Sequence, residues 1–522
     1  MKGALRPVVW SIAGNDSGGG AGLSADQRMA DAFGVHLCPV VAAITAQSSM
    51  EVTRIAPVGT DLLDAQLAAL ERDMPPLAIK TGLLGNAAQV ECVARWVDRL
   101  REAAPVALVV DPVLGASTGA NFADEATRRA YRDLLLPRAT LTTPNRREAA
   151  RLAGLAEVPA NATLPALARA LQDDAAQSIC ITGGDAVDDP DTSLDWMTTP
   201  HASGWLASPR VTTPHHHGSG CSFATAAAAA LGLGFVAADA LVLAKMATTD
   251  AIRHGEPAGH GAGPVRAHSG FATAPGGLPR LTFGEAIHFA QPERSQRAAA
   301  APLGLYAIVD SVQRLGEVLA AGVRTVQLRI KAPAAPDEAW RSALRRDIRR
   351  SIAACREAQA ELFVNDHWRT ALELGAGGVH LGQEDLLALS DGERAELIDS
   401  GVALGISTHS LWELSRAAAM TPRYVACGPV WPTVTKAMPW RPQGPHNLSW
   451  WCAMAPAPVV AIGGLLGAAQ VRTAAQCGAD GACIVRAIGE DAAASVPELQ
   501  AAWNAGCSSG RGLAPRLPHP SL

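Results

Sequence analysis

The chain has 522 residues, of which 48% are hydrophobic and 18% are charged, and its formal net charge is −5. A chain of this length exceeds one ordinary hydrophobic core, so we expect two or three domains. The weak negative charge gives no indication of a nucleic-acid or membrane partner, and we expect neither.

No segment predicts export or membrane insertion. The N-terminal residues lack the apolar core and cleavage site of a secretory signal. Residues 226–238 are the most membrane-like run, but the run is short and rich in Ala and Gly, so we expect a buried helix. The ten cysteines include no CxxC pair, which is typical of reduced thiols. We therefore expect a cytoplasmic protein.

Lysine is unusually rare, because 44 basic residues include only five lysines. A chain that otherwise uses arginine keeps lysine where a compact ammonium matters, so lysine adds weight to any motif that contains it. The five are Lys2, Lys80, Lys245, Lys331 and Lys436.

The first half, residues 1–292, alternates short apolar runs with segments that can form helices. This alternation predicts a mainly parallel sheet covered by helices. Six runs have strand character, namely VVWSIAG, VVAAIT, LAIKTG, ALVVDP, TLTTPN and ICITGG. We predict that an Ala-rich linker, residues 293–302, ends this half.

Glycine-rich turns in the first half precede helices at two places. One is AGNDSGGGAG, and the other is GSGC, residues 218–221, before an Ala-rich run. Free amides at a helix N-terminus suit an anion. The adjacent His215, His216 and His217 are a weaker metal site, because three successive side chains diverge. Farther along the chain, Asp111 follows an apolar run, and Asn145 and Glu148 stand three residues apart, a set that could organise Mg²⁺ around a nucleotide.

The motifs AGNDSGGGAG, ITAQ and HGSGC resemble the hydroxymethylpyrimidine/phosphomethylpyrimidine kinases of the ribokinase-like superfamily, over residues 7–290. The resemblance implies ATP as co-substrate, with Gln47 and Asp26 in the pyrimidine site. It implies that the turn with Gly218 and Gly220 stabilises the transferred phosphoryl group. It also implies nucleotide-binding residues, namely Asp111, Asn145, Glu148 and Ser219. The family commonly has a lysine where this chain has Thr182, which puts the strength of nucleotide binding in question.

Cys221 takes the place where relatives carry the catalytic aspartate. A helix N-terminus lowers the pKa of a thiol, so a thiolate base near neutral pH is one interpretation. The alternative is a small residue that packs at the start of the helix.

The second half, residues 303–507, contains eight short apolar runs, each followed by a segment that can hold a helix. This pattern predicts a (β/α)8 barrel, whose active site lies at the carboxyl ends of the strands. The runs are LYAIVD, VQLRI, LFVN, GVHLG, ALGIS, YVACG, VVAIGG and GACIV. The Pro/Gly/Ser-rich tail, residues 508–522, is predicted to be disordered.

Polar residues follow the barrel strands repeatedly. Asp366 and Asp385 offer the oxygen ligands that Mg²⁺ prefers. Cationic side chains and the Gly463–Gly464 turn suit a pyrophosphate and a second phosphate. No nucleophile–base pair is evident, which predicts catalysis by stabilising a departing pyrophosphate. The other rim residues are Arg329, Lys331, Asn365, Gln383, Ser407, Thr433, Thr435 and Lys436.

The motifs QLRIK, NDHWR, VHLGQEDL, GISTH, PTVTK and AIGG resemble thiamine phosphate synthases over residues 303–490. The resemblance implies that a pyrimidine-methylene cation forms as pyrophosphate leaves, and that thiazole phosphate captures it. It implies that Asp366 and Asp385 bind Mg²⁺. The pyrimidine pyrophosphate would contact Gln327, Arg329, Ile330, Lys331, Asn365, Ser407 and Lys436. The thiazole phosphate would contact Thr433, Val434, Thr435, Gly464, Val485 and Arg486. Arg486 departs from the family, which usually has serine there.

Together the two halves predict a bifunctional enzyme of thiamine biosynthesis, in which the first half makes the pyrimidine pyrophosphate that the second consumes. Its partners would be small molecules: the pyrimidine and its phosphates, thiazole phosphate and ATP. Two alternatives stay open, a pyridoxal-type kinase in the first half and a catalytically silent, ligand-binding barrel in the second. The sequence also leaves open a homo-oligomer formed through the first half.

Overall fold

A computed structural model describes residues 5–115, 123–173, 176–184, 189–287, 289, 301–433 and 439–522. The chain divides into two compact units, residues 1–287 and residues 288–522. Most of the predicted linker, residues 293–302, lies outside the described residues.

The first unit contains a ten-stranded sheet in the order β10-β9-β8-β7-β6-β5-β4-β1-β2-β3. The six strands from β2 through β1 to β7 run parallel, while β3, β8, β9 and β10 pair antiparallel with their neighbours. The predicted, mainly parallel sheet is therefore confirmed. The strands are β1 Val8–Asp16, β2 His36–Gln47, β3 Val52–Pro57, β4 Ala78–Thr81, β5 Ala107–Val110, β6 Leu141–Thr142, β7 Ile179–Ile181, β8 Thr192–Thr198, β9 Ser203–Pro209 and β10 Arg280–Leu281.

Eight α-helices accompany this sheet within the described part of the first unit. They are α1 Gly22–Phe33, α2 Thr60–Glu71, α3 Ala87–Ala103, α4 Glu125–Ala130, α5 Arg146–Leu152, α6 Leu164–Asp173, α7 Ser219–Gly232 and α8 Ala237–Arg253. The apolar run at 226–238 forms the end of α7 and the start of α8, and both helices are largely buried. None of the described helices is long and apolar enough to span a bilayer.

The second unit is a closed barrel of eight parallel strands, as predicted. Its strands are β11 Gly304–Val309, β12 Thr325–Leu328, β13 Glu361–Asn365, β14 Gly378–Leu381, β15 Ala403–Thr408, β16 Tyr424–Cys427, β17 Val459–Ala461 and β18 Gly481–Ile484. Its described helices are α9 Val312–Ala320, α10 Glu338–Glu357, α11 Trp368–Glu373, α12 Gln383–Ala388, α13 Asp391–Asp399, α14 Leu411–Ala418, α15 Gly444–Met454, α16 Ala468–Gln476 and α17 Ala492–Ser508.

Side-chain caps fix where several helices begin. Asn86, Asp124, Ser311, Asp337 and Ser410 each accept a hydrogen bond from a backbone amide in the first turn of the following helix. A cap of this kind satisfies one of the amides that lack an intrahelical partner. In the barrel the capped starts also fix where the preceding loops end.

The barrel interior is filled by aromatic side chains. The rings of Phe363 and Tyr424 meet edge to face with centroids 5.0 Å apart, and Tyr306 meets Tyr424 at 5.4 Å. Edge-to-face contacts are a favoured geometry for such pairs. These rings belong to a buried cluster with Leu303 and Val460, so the barrel has a packed core and not a pore.

The C-terminal segment, residues 509–522, has no helix or strand, yet it packs against the barrel, unlike the disordered tail that we predicted. The amide of His519 donates to Asn447 Oδ1 at 2.9 Å, and Asn447 Nδ2 donates back to the His519 carbonyl at 3.0 Å. His519 Nε2 donates to the Gln443 carbonyl at 3.0 Å, and Arg441 N donates to the Ser521 carbonyl at 2.8 Å. Composition missed these contacts because the partners lie elsewhere in the chain.

The tail also supports loops at the barrel rim. It covers Gln443 and Asn447, which are at most 1% exposed. Gln443 Nε2 donates to the His409 carbonyl, after β15, at 2.6 Å. The Gln443 amide donates to the Pro429 carbonyl, after β16, at 2.8 Å. The tail therefore braces the loops that follow these two strands.

Deleting residues 514–522 should destabilise the barrel. Four hydrogen bonds would be lost and two buried amide side chains uncovered, which is a loss on the order of 3 kcal/mol. For a unit of this size the melting temperature should fall by roughly 6–12 °C. Calorimetry of the full chain provides an internal control, since the transition of the first unit should not move. An unchanged barrel transition would show that the tail contacts contribute no stability.

Candidate active sites

The first candidate site lies at the carboxyl ends of β1 and β2. Asp16, the last residue of β1, accepts the amides of Gly18 at 2.8 Å, Gly20 at 3.0 Å and Ala21 at 2.8 Å. Its carboxylate thereby shapes the glycine-rich turn before α1. Gln47 ends β2, the neighbouring parallel strand, so its amide reaches the same edge of the sheet.

His217 joins these two residues, and our sequence interpretation did not assign it a role. Its Nε2 lies 3.3 Å from Asp16 Oδ2 and 3.3 Å from Gln47 Nε2. Glycine is required where the two turns meet, because a Cβ on Gly20 would lie 2.1 Å from the His217 ring. A Cβ on Gly218, at φ +84°, would lie 2.3 Å from the Gly20 carbonyl oxygen. The contacts between the turns place the third histidine of the run at the predicted pyrimidine site.

The hydrogen bonds to Asp16 keep its carboxylate ionised. Burial alone would raise the pKa of Asp16, but the hydrogen bonds from His217, Ala21 and Gly18 outweigh burial and lower the pKa below its ordinary value. The site therefore carries a fixed negative charge beside the ring of His217.

Asp26, which we predicted to contact substrate, is instead completely buried. Its carboxylate pairs with Lys80 Nζ at 2.9 Å and accepts hydrogen bonds from Ser11 Oγ at 2.6 Å and Thr225 Oγ1 at 2.7 Å. Both members of the ion pair have 0% exposed side chains. Asp26 faces inward from α1, so its role here is to neutralise the buried lysine of β4.

Two further titratable groups lie near this ion pair. Asp111 Oδ2 lies 4.0 Å from Lys80 Nζ, and burial raises the pKa of Asp111 to about 6 despite the opposing effect of Lys80. Burial raises the pKa of Cys221 to about 12, and Lys80 offsets this only in part. The raised pKa favours the second interpretation, a small residue that packs at the start of the helix, because desolvation and the charges of Asp26 and Asp111 outweigh the charge of Lys80 and the hydrogen bond from the Gly22 amide.

The N-terminus of α7 nevertheless offers anion-binding groups. Gly218 is its N-cap residue, and no side chain caps the helix. Ser219, Gly220 and Cys221 form the first turn, where amides have no intrahelical acceptor. The Ser219 amide donates to the His216 carbonyl at 3.2 Å, so the amides of Gly220 and Cys221 are the donors that this positive helix end offers to an anion.

Asn145 and Glu148 have a local structural function. Asn145 Oδ1 accepts the Glu148 amide at 2.9 Å, and Glu148 Oε2 accepts the Asn145 amide at 2.9 Å. This reciprocal capping box explains their spacing of three residues without a ligand. Next to them, Thr182 N donates to the Pro144 carbonyl at 2.9 Å, so the ends of β6 and β7 lie together.

A lysine does reach the turn after β7, although Thr182 replaces the one expected in the sequence. Lys245, on α8, pairs with Asp195 Oδ2 at 2.8 Å, and Asp195 Oδ1 accepts the Gly183 amide at 2.9 Å. The pair is almost fully buried. Lys245 therefore positions the turn through Asp195 and does not face solvent.

The second candidate site lies at the carboxyl rim of the barrel. Arg329 and Lys331 follow β12, and no carboxylate among the described residues pairs with either cation. Gly463 and Gly464, after β17, have φ values of +86° and +75°. Their amides donate to no acceptor in the described part of the chain. Unpaired cations and open amides at one rim are suited to a polyanion.

A chain of buried hydrogen bonds links two predicted substrate residues across the barrel. Gln327 Nε2 donates to Tyr306 Oη at 3.1 Å, and Tyr306 Oη lies 2.6 Å from Tyr424 Oη. Tyr424 Oη lies 2.7 Å from His380 Nδ1, whose Nε2 lies 3.0 Å from Ser407 Oγ. These contacts fix the orientations of Gln327 and Ser407.

His380 was not singled out in the sequence, although it stands in GVHLG. Burial and the nearby charge of Arg329 lower the pKa of His380 to about 3, so its imidazole is neutral. A neutral ring can both donate and accept in the chain to Ser407. The sequence pattern predicted the strand that carries His380, but the hydrogen-bond partners of His380 come from other strands.

The two predicted magnesium ligands follow adjacent strands. Asp366, after β13, has φ +63°, an uncommon conformation for a non-glycine residue. Asp385 Oδ2 accepts the Gly382 amide at 2.9 Å and thereby caps α12.

Two predicted pyrimidine contacts, Asn365 and Ile330, follow or end neighbouring strands. Asn365 is the last residue of β13 and is 6% exposed. The Ile330 carbonyl is 2.8 Å from His367 Nε2.

The remaining predicted contacts divide into described and undescribed residues. Thr433 is described, whereas Val434, Thr435 and Lys436 lie outside the described residues. Val485 and Arg486 are exposed after β18, and the guanidinium of Arg486 has no carboxylate partner in the described chain. Arg486 is thus available to a ligand at the rim.

Comparison with known proteins decides the family. The phosphomethylpyrimidine kinase family matches residues 16–266, and the thiamine monophosphate synthase family matches residues 305–488. A hydroxymethylpyrimidine/phosphomethylpyrimidine kinase of Synechococcus elongatus is 40% identical over 50% of this chain and 96% of its own. A thiamine-phosphate synthase of Neisseria meningitidis serogroup B is 42% identical over 39% of this chain and 96% of its own.

A relative also contains both parts. The probable thiamine biosynthetic bifunctional enzyme, chloroplastic, of Oryza sativa subsp. japonica is 30% identical over 88% of this chain and 81% of its own. The chain belongs to both families. It is a bifunctional enzyme of thiamine biosynthesis, with hydroxymethylpyrimidine and phosphomethylpyrimidine kinase activities and thiamine-phosphate synthase activity. We call residues 1–287 the kinase unit and residues 288–522 the synthase unit.

Cys221 should resist alkylation in the free enzyme. With a pKa of about 12, only about one thiol in 10⁴ is ionised at pH 8, and reactivity requires the thiolate. Iodoacetamide at pH 8, followed by peptide mass spectrometry, should label the exposed Cys507 far faster than Cys221. The labelling rate of Cys221 should increase tenfold per pH unit up to its pKa. Fast labelling of Cys221 at pH 8 would contradict the raised pKa.

Proposed function

We propose that the kinase unit phosphorylates the pyrimidine twice in succession at the edge formed by β1, β2 and the start of α7. Gln47 and His217 offer hydrogen bonds to the edge of a pyrimidine ring, since an amide and an imidazole each donate and accept. The backbone amides of Gly218 and Gly220 suit the transferred phosphoryl group. Asp16 supports this arrangement by fixing the glycine-rich turn.

Cys221 acts in this proposal as a neutral thiol of the first helical turn. A group whose pKa is about 12 is a poor base near pH 7. Asp111, whose pKa is about 6, is the buried carboxyl group near Cys221 that can change protonation near physiological pH. We therefore propose that Asp111, and not Cys221, is the group of this cluster that takes up or releases a proton.

The nucleotide would lie at the carboxyl ends of β5, β6 and β7. Asp111, Asn145 and Thr182 stand at these ends, and the three strands are neighbours in the sheet. Ser219 would contact the phosphates from α7. Glu148 contributes by holding Asn145 in the capping box.

The synthase unit would bind the pyrimidine pyrophosphate and stabilise the departing pyrophosphate. The unpaired cations Arg329 and Lys331 are the observation that carries this proposal, because cations without carboxylate partners favour an added polyanion. Lys436 would add a third positive charge. Gln327, Asn365 and Ser407 would orient the pyrimidine, and Gln327 and Ser407 are held by the buried chain through His380.

Asp366 and Asp385 fit a magnesium ion by their chemistry. Both carboxylates follow adjacent strands, and Mg²⁺ prefers few carboxylates together with substrate phosphates. Asp385 keeps Oδ1 for a ligand while Oδ2 caps α12. Bound Mg²⁺ would neutralise charge on the pyrophosphate.

The thiazole phosphate would bind opposite the pyrimidine, at the ends of β16, β17 and β18. Gly464 offers an amide there, and Thr433, Val434, Thr435 and Val485 would line the site. Arg486 would supply a charged contact where the family usually has serine.

The protein would act in a reducing compartment such as the cytoplasm, which its ten free cysteines support.

The full chain should convert hydroxymethylpyrimidine, ATP, Mg²⁺ and thiazole phosphate to thiamine phosphate, and omission of any one should abolish the product. Arg329→Ala should slow the synthase step about hundredfold, as expected for one lost electrostatic contact, and pyrimidine pyrophosphate should accumulate. Arg345→Ala, at an exposed arginine paired with Glu373, is the matched control and should retain the rate. Chromatography of the products measures both steps.

The same assay tests the alternatives. Preference for pyridoxal over hydroxymethylpyrimidine would assign the kinase unit to the pyridoxal-type activity. Accumulation of pyrimidine pyrophosphate by the unaltered chain, with no thiamine phosphate, would show a silent barrel.

A further inference from the structure

Three side chains with metal-binding atoms meet at the end of α8, away from the residues assigned above. Asp250 and His254 belong to the last turn of α8 and its cap, and His268 precedes a 3₁₀ turn, Ser269–Thr273. His254 Nδ1 and His268 Nε2 are 3.0 Å apart. Asp250 Oδ2 lies 3.2 Å from His268 Nε2 and 3.7 Å from His254 Nδ1.

The carboxylate of Asp250 gives a second, independent observation. Asp250 is 5% exposed, and its buried Oδ2 has no hydrogen-bond partner among the described residues. An ionised oxygen in such a position is costly unless a positive charge compensates it. Oδ2 points toward the two imidazole nitrogens, so a cation among the three atoms would satisfy it.

We propose that Asp250, His254 and His268 bind one Zn²⁺-class transition-metal ion. Ligand atoms about 2.0–2.1 Å from a tetrahedral Zn²⁺ lie roughly 3.3 Å from one another, and the three observed separations bracket that value. Two imidazoles exclude Mg²⁺ as the preferred ion, since Mg²⁺ takes oxygen ligands. The histidines are about half exposed, which leaves an entry path and a fourth position for water.

The protons balance when the metal binds. His268 Nδ1 accepts the Gly270 amide at 3.1 Å, so the His268 proton is on Nε2, which donates to His254 Nδ1 at 3.0 Å. The proton of His254 is then on its Nε2, and its Nδ1 needs no deprotonation to bind a metal. When the metal binds, the His268 proton moves from Nε2 to Nδ1, and both imidazoles stay neutral. The contacts of His268 with Gly270 and with His254 are released, so two neutral hydrogen bonds are exchanged for two metal–nitrogen bonds.

The site would close the base of a loop that reaches the pyrimidine site. The loop of residues 255–267 joins His254 to His268. In its middle, the Gly263 carbonyl accepts the His217 amide at 3.1 Å, and Val265 N donates to the His217 carbonyl at 3.0 Å. The metal would therefore restrain the loop that holds His217. This consequence for catalysis rests on the proposed function, whereas metal binding does not.

Binding of Co²⁺ and Zn²⁺ to the metal-stripped full chain tests the site directly. The visible spectrum of Co²⁺ should show the intense bands of a tetrahedral complex, saturating at one equivalent, and Zn²⁺ should displace it. His268→Ala and Asp250→Asn should each weaken binding at least tenfold. His260→Ala removes an exposed histidine of the same loop and is the matched control, which should bind as the unaltered chain does.

Thermal melting with added metal tests the site even if one of the substituted proteins folds poorly. Zn²⁺ should raise the melting temperature of the kinase unit within the unaltered full chain, and equimolar Mg²⁺ should not. The His260→Ala protein should respond to Zn²⁺ as the unaltered chain does. Absence of Co²⁺ and Zn²⁺ binding by the unaltered chain would overturn the proposal. Equal affinity in a folded His268→Ala protein would also overturn it, because the ion would then bind elsewhere. Retained metal binding with no kinase activity would contradict the proposed function and leave the metal site intact.

Discussion

The common direction of parallel strands is the constraint on which both sites depend. In each unit at least one helix lies between successive parallel strands, so residues distant in sequence end at one edge. Asp16 and Gln47 meet in this way in the kinase unit, as do the rim residues of the synthase unit. The edge gathers backbone amides and polar side chains, which suits the phosphorylated substrates of both activities.

Beneath these edges, buried polar groups hold the sites in place. In the kinase unit the Lys80–Asp26 pair lies next to Cys221, where burial raises the free-energy cost of a thiolate. In the synthase unit neutral His380 connects Ser407 to the two buried tyrosines. Truncating one partner of such a network leaves the other partner buried and without a hydrogen bond. The network therefore strongly favours one orientation of each side chain in it. The residues that we propose to contact substrate are thereby oriented by the protein itself.

The strand pattern predicted the fold better than it predicted side-chain roles. All six parallel strands of the kinase unit and all eight barrel strands coincide with apolar runs, because buried parallel strands are continuously hydrophobic. The antiparallel strands β3, β8, β9 and β10 were missed. Strand β3 has no buried residue, β10 has only two residues, and β8 and β9 contain polar residues such as Asp195 and Ser208 among their apolar ones. The inward direction of Asp26, the raised pKa of Cys221 and the docking of the tail all depend on partners far along the chain.

The central claim is that one chain holds two separate catalytic sites, and that the pyrimidine pyrophosphate made at one site is consumed at the other. Mixing the folded Gln47→Ala and Arg329→Ala full-length proteins tests it most directly. Each protein alone should make almost no thiamine phosphate from hydroxymethylpyrimidine, ATP, Mg²⁺ and thiazole phosphate. The mixture should restore production, because the Arg329→Ala protein supplies the intermediate and the Gln47→Ala protein consumes it. A mixture as inactive as its components would contradict two independent sites connected by a released intermediate.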